Sequence, residues 1–271
     1  MPAYTTANMS GTTTSSLSDL YKVTHSAMMG GKTQRNYTIL YDPEMYASYW
    51  VAYPLCSDHI TTGRTESWAY DPVVPEAKQA KAKNGYGVSL STTNYPSNSW
   101  ARGHQIPNAD RNNVAAMQAQ TYYYTNLTPQ IQNGFNGGIW SDLESAVRNL
   151  CDDCDTVYVV TGAAFRKKGG SETINTITDS NNDGDVLPIP NYYWKALLKV
   201  TWSGKTVTAA SAIGFWLPHQ DLKGESYSDS KYVVSVDQIE TWTGFDLFHN
   251  LPDALESSSE ANTSWNTFST F

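Results

Sequence analysis

The chain is predicted to be an α+β protein in which a mixed, largely antiparallel central sheet is flanked by helices. Three observations predict it. Short runs rich in Val, Ile, Tyr and Trp are separated by Gly, Pro, Asn or Asp, one segment repeats its apolar residues at helical spacing, and one capping-box sequence opens a second helix.

The strand-like runs lie at Asn36 to Leu40, Ser48 to Leu55, Thr156 to Phe165, Tyr192 to Trp202, Thr206 to Leu217 and Tyr232 to Val234. Their β-branched and aromatic side chains suit a pleated, packed surface. From Gly137 to Leu150 the residues Trp140, Leu143, Val147 and Leu150 recur at three- and four-residue steps, which describes a helix with one buried face. Ser235-Val-Asp-Gln238 caps a shorter helix that Gly244 ends. Residues 1–34, rich in Thr, Ser and Gly, are expected to form a flexible N-terminal arm, leaving 35–271 as a single domain without repeat or linker. Ala77 to Tyr95 reads as a polar surface loop with Lys78, Lys81 and Lys83 on a solvated face. Asp179-Ser-Asn181-Asn-Asp183-Gly184 copies the front of a calcium loop, but Pro190 stands where the closing Glu belongs. A hairpin turning at Asp183-Gly184 is the expectation there.

Composition narrows the function. The chain has 271 residues, only 16 % of them charged, and a net charge of −8, which excludes a polycation that coats nucleic acid with its whole surface. Any phosphate contact must be local. No window approaches the roughly 18 apolar residues of a membrane span, and the first residues lack a basic n-region and an apolar h-region. Cys151-Asp-Asp-Cys154 has half-metal-site spacing with no second pair to complete it, so a local disulfide or two inert thiols is expected.

Among five histidines, His104 alone has a distinctive setting. It lies in Ser99-Trp-Ala-Arg102-Gly-His104, where Arg102 and His104, two apart, share one face of an extended strand and Gly103 leaves the backbone open to close approach. Downstream come Asn126-Leu-Thr-Pro-Gln130 and then Asn136 with Trp140, Leu143-Glu144 and Arg148. The order is strand with histidine, strand, loop with asparagine, helix.

In these motifs the sequence resembles the DNA/RNA non-specific endonucleases, the Serratia-type and endonuclease G-like enzymes built around a ββα-metal (His-Me) finger. Weaker likeness extends over roughly residues 36 to 255. The resemblance implies a magnesium-dependent endonuclease, indifferent to sequence and sugar, that hydrolyses DNA and RNA to 5′-phosphate ends. It assigns His104 as the general base, Asn136 as the residue holding one divalent ion, magnesium or else manganese, and Glu144 to waters around that ion. Arg102 would neutralise the scissile phosphate, Arg148 would pair with Glu144 or contact phosphate, and Asn126 would fix the loop and the ion's water shell. The family's leading Asp is Ala101 here, on the opposite strand face from His104 if pairing is regular, and the position of an upstream functional Arg is Glu66, with Arg64 as its substitute. Asn126-Leu-Thr128 is also a glycosylation sequon, so a working enzyme must be unmodified there. Arg111 and Arg166-Lys167-Lys168 are further candidate cleft cations. A monomer or homodimer with no membrane partner is expected, and because unrestrained cleavage is dangerous inside a cell and the polar residues are mostly Ser, Thr and Asn, so is a secreted or periplasmic location. A second reading is a catalytically degenerate nucleic-acid or carbohydrate binding module on the same fold, which Ala101 and Glu66 favour. A third is a scaffold or toxin-like interaction protein.

Overall fold

A computed structural model describes residues 1–3, 17–87, 100–152 and 155–271. Residues 4–16 of the expected arm, 88–95 of the expected loop, and Cys154 lie outside this set.

Strands β1 (Tyr21–Met29), β2 (Lys32–Asp42) and β3 (Ala47–Leu55) form a meander. A hairpin-like pair, β4 (Trp100–His104) and β5 (Leu127–Ile131), brackets the short helix α1 (Ala115–Gln120) and leads into α2 (Ser141–Asn149). Then follow β6 (Val157–Ala164), the small hairpin β7 (Thr176–Thr178) and β8 (Val186–Pro188), and the long hairpin β9 (Tyr192–Ser203) and β10 (Thr206–Pro218). The chain ends with β11 (Val233–Val234), α3 (Val236–Thr243), α4 (Asp253–Glu260) and α5 (Trp265–Ser269). The main sheet runs β1-β2-β3-β6-β9-β10-β11, and each neighbouring pair is antiparallel.

Period-two alternation, buried on both sides, explains why the central strands read as continuous apolar runs. In β6, Val157, Val159 and Ala163 join one core while Val160 and Ala164 join the other. In β9, Tyr193 and Leu197 face the first core, Trp194, Ala196 and Leu198 the second. The first core also takes Phe135, Trp140, Leu143 and Val147, so the β4–β5 pair and α2 pack on that face. The second takes Val236, Ile239, Phe245 and Leu251, which puts α3 on the opposite one.

The arm expectation fails from Tyr21 onward. β1 is the outermost strand, and its polar composition hid it, because Val23 and His25 are its only fully buried residues. His25 Nε2 and Asp71 Oδ2 lie 2.9 Å apart, and Asp71 also accepts from Thr125 Oγ1. Ser235 is the N-cap of α3, its Oγ accepting from the Gln238 amide at 3.0 Å, and Gly244 ends α3 at φ +76, a left-handed conformation that glycine adopts without strain. Asp183-Gly184 lies in the β7–β8 connection, and the Asp179 carboxylate there is taken up by the Gly87 and Asn181 amides and Asn182 Nδ2.

Candidate active site

β4 and β5 pair antiparallel with Gly103 opposite Thr128 and His104 opposite Leu127. Gly103 is required by contact. A Cβ there would meet Gln130 Cδ at 2.3 Å, because the Gln130 side chain crosses directly over it. Gln130 Oε1 in turn accepts from Asn136 Nδ2 at 2.6 Å. Two motifs distant in sequence are thus joined by one buried glutamine.

Gln132–Trp140 is an irregular turn, with Gly134 at positive φ and Gly137 and Gly138 outside helical angles, and regular α2 begins only at Ser141. The expected helix therefore starts four residues late, its apolar face intact. The irregular turn is what carries Asn136 to the Gln130 side chain.

Arg64, Arg102, His104, Asn136, Glu144 and Arg148 all line one cleft of about 540 Å³. Trp68, Asn108, Gln132 and Ser141 line it with them. Ala101, expected on the far strand face, borders it too. Asn126 does not belong there. It is fully buried, its oxygen accepts from the Ile106 amide, and its nitrogen donates to the Ile106 and Thr121 carbonyls. That side chain fixes the loop, and its full burial away from the cleft lining keeps it out of an ion's water shell and also shields the sequon.

The His104 ring sits against Trp68 and Tyr122, with centroids 5.5 and 5.2 Å away. It donates to the Arg102 carbonyl, while Nε2 is buried and has no hydrogen-bond partner. Burial pushes its pKa down to about 3, with Arg64 adding to the fall. A neutral imidazole with Nδ1 anchored and Nε2 empty is the form a general base needs. His219 makes the contrast clear: its pKa is also near 3 through burial, but Nε2 accepts from the Ile131 amide and Nδ1 donates to the Pro190 carbonyl. His219 braces β5 and has no free nitrogen.

The guanidinium of Arg102 lies 3.7 Å from the Trp68 ring centroid and donates to the Lys83 carbonyl at 2.8 Å, which fixes its orientation. Glu66 accepts from Trp68 Nε1 and from Arg64 Nη2, the Trp68 bond holding its carboxyl below the usual range. Arg64 is exposed and 5.7 Å from the Tyr122 ring. Arg148 bonds to Asp110 Oδ1 at 3.0 Å rather than to Glu144. Asp110 Oδ2 accepts from Tyr53. Burial raises the Glu144 pKa and lowers that of the fully buried Lys195, each opposed by the other's charge.

Arg111 is not a cleft cation. It is fully buried and donates to Asn36 Oδ1, Asn36 O, Asp110 O and Pro54 O. Arg166 donates to the Glu172 carbonyl, and Lys167 stacks 3.7 Å from the Trp242 ring, away from the cleft lining. Gln130, Trp68, Asp110 and Lys195 were not singled out by sequence. Gln130 closed a quoted motif and Lys195 lay inside the strand-like run Tyr192 to Trp202, but nothing in a one-dimensional pattern distinguishes a buried bracing amide or ammonium from any other polar residue there.

The cleft's donors fit a hard divalent cation. Asn136 contributes an amide oxygen left without a hydrogen-bond partner among the described residues, and Glu144 a carboxylate, a set that suits a mostly hydrated magnesium-like ion.

Comparison with known proteins places the chain in a family. A family model described as DNA/RNA non-specific endonuclease matches residues 17–254. The nuclease of Serratia marcescens is 28 % identical over 215 residues, covering 77 % of this chain and 71 % of its own. Nuclease C1 of Cunninghamella echinulata var. echinulata is 27 % identical over 223 residues, 80 % of this chain and 82 % of its own. The mitochondrial nuclease EXOG of Danio rerio is 25 % identical, covering 79 % of this chain and 59 % of its own. In structure, the chain is similar to one from the EndoG/EndoGI complex, with a TM-score of 0.64, 18 % identity, and 86 % and 89 % of the two chains covered. The chain therefore belongs to the DNA/RNA non-specific endonuclease family and is a nuclease.

Proposed function

We propose that the enzyme is a magnesium-dependent endonuclease that cuts DNA and RNA without regard to sequence or sugar, with His104 as general base and Asn136 holding the ion. The observation that carries this reading is that His104, whose buried Nε2 has no hydrogen-bond partner, lines the same cleft as Asn136, Glu144 and three arginines.

Nε2 of His104 takes a proton from a water on its cleft side, and that oxygen attacks phosphorus. The bond from phosphorus to the 3′ oxygen breaks, the leaving oxygen takes up a proton from cleft water, and the products are a 3′-hydroxyl and a 5′-phosphate. Arg102, clamped by Trp68 and the Lys83 carbonyl, neutralises the growing phosphoryl charge without having to reorganise. Arg148 and Arg64 hold the flanking backbone. A divalent ion at Asn136 supplies further charge neutralisation when bound. Glu144 orients water beside that position. Contacts with phosphates alone carry no base information, which supports indifference to sequence. Export from the cytoplasm belongs to this reading, since unrestrained cleavage of nucleic acid endangers the cell that makes the enzyme.

Supercoiled plasmid and RNA incubated with wild type and His104→Ala, with magnesium and with chelator, test the proposal. Both substrates should be degraded by wild type with magnesium only. Equal degradation by the variant, or activity surviving full chelation, would overturn it.

A further inference from the structure

On the sheet face opposite the cleft, α3 and α4 bring three carboxylates together. One oxygen from each of Asp237, Glu240 and Glu260 lies within 4.8 Å of the others. Two features separate this cluster from ordinary surface acidity. Glu260 is only 4 % exposed, and its Oε1 is buried without a hydrogen-bond partner. The neighbouring charges that weigh most on it are all carboxylates, namely Glu240, Glu256, Asp237 and Asp246. A buried carboxylate among like charges is costly unless it takes up a proton, toward which its pKa is pushed to about 9, or a cation joins it. Glu260 also ends α4, where the helix dipole disfavours negative charge, so helix formation does not account for its position.

We propose that Asp237, Glu240 and Glu260 form a second cation site, taking calcium, that ties α3 to α4. Oxygens around calcium stand about 2.3–2.6 Å from the ion, so ligands across its shell lie up to about 5 Å apart. Magnesium draws its oxygens to about 2.0–2.1 Å in a near-ideal octahedron, a tighter arrangement than three carboxylates on two packed helices need adopt. Glu240 is already oriented, since its Oε1 accepts from the Leu247 amide at 2.6 Å. Asp237, in the first turn of α3, is exposed and completes the site from the solvent side. The role is structural and independent of the nuclease reaction.

The test uses full-length protein carrying Asn136→Ala, so that the ion of the cleft does not contribute, stripped with chelator and titrated with calcium alone. Calorimetry should record one calcium per chain, and about 1 mM calcium should raise the melting temperature by about 5 °C, more than the same concentration of magnesium. Adding Asp237→Asn or Glu260→Gln should remove most of that shift. Asp237 is exposed, so its variant folds whatever happens at Glu260, and with Asn136 restored Asp237→Asn should keep wild-type nuclease activity at 25 °C. A melting temperature unmoved by calcium, or a shift that persists in both carboxamide variants, would overturn the site and leave a cluster that shares protons only.

Discussion

Gln130 makes the positions of the base and of the ion's ligand interdependent, because it fills the space beside Gly103 and holds Asn136. Gln130→Ala should raise the metal concentration for half-maximal activity by about tenfold to 100-fold, read from a metal-activation curve. Gly103→Ala should do the same through steric displacement. An unchanged curve in both would show that Asn136 is oriented by something else. His104→Ala should lower kcat by about 10²–10⁴. Because burial lowers the His104 pKa from its usual 6.5 to about 3, the neutral base persists as pH falls between those values. The acid limb of kcat/KM that belongs to His104 should accordingly lie well below pH 6.5, whereas Glu144, raised to about 7, gives its own limb, so a limb at 6.5 that persists in Glu144→Gln would contradict a buried ring. The pairing of Arg102 with His104 was legible because a strand repeats every two residues. The division of labour between Asn126 and Asn136 was not, since both are asparagines in loop motifs and only the fold shows that one is consumed by the Ile106 and Thr121 backbone.

The finger is an element with few regular hydrogen bonds to the main sheet, and side chains supply the attachment. Tyr193 bonds to the Pro129 carbonyl and Thr128, His219 to the Ile131 amide, and Tyr53 of β3 to Asp110. Arg111 ties the segment after β4 to β2 and β3 through the Asn36 and Pro54 carbonyls. Arg111→Met should cost about 3–5 kcal/mol in urea unfolding, because it strands several buried acceptors at once. A loss under 1 kcal/mol would mean that water replaces the guanidinium. Helix α2 was legible from Leu143 and Val147, whose spacing is the period of its buried face. The irregular turn ahead of it was not, because Gly134, Gly137 and Gly138 impose angles that periodicity does not encode. β1 was hidden for a different reason: an edge strand buries little, so its sequence lacks an apolar stripe.

Over the molecule as a whole, a net charge of −8 coexists with Arg64, Arg102 and Arg148 on one cleft. Binding that relies on so few cations should weaken steeply with salt, and cleavage rates should fall several-fold between about 50 and 200 mM. A flat response would argue against phosphate-driven binding. Stability should also respond to acid. His59, His104 and His219 have pKa values lowered by burial from 6.5 to about 4, 3 and 3. Below pH 6.5 the unfolded chain takes up protons that the folded chain refuses, so the stabilisation present above 6.5 is lost as pH falls toward 4 and 3. Glu144 and Glu240, raised by burial to about 7, and Glu260, raised to about 9, take up protons in the folded chain first and offset this loss down to about pH 4.5, so melting temperature should drop only below that pH. The strand-rich, largely antiparallel sheet followed from composition and the finger from motif order, whereas the order of strands in the sheet, the face that bears the finger and the acidic pairing of α3 with α4 depend on packing between segments that share no sequence pattern. The closed pocket around the Asn126 carboxamide extends to biosynthesis. An oligosaccharyltransferase needs its acceptor loose and reachable, so a secretory host that attached a sugar at this asparagine would have done so before β4 met β5, and occupancy measured by mass would time that meeting inside the living cell.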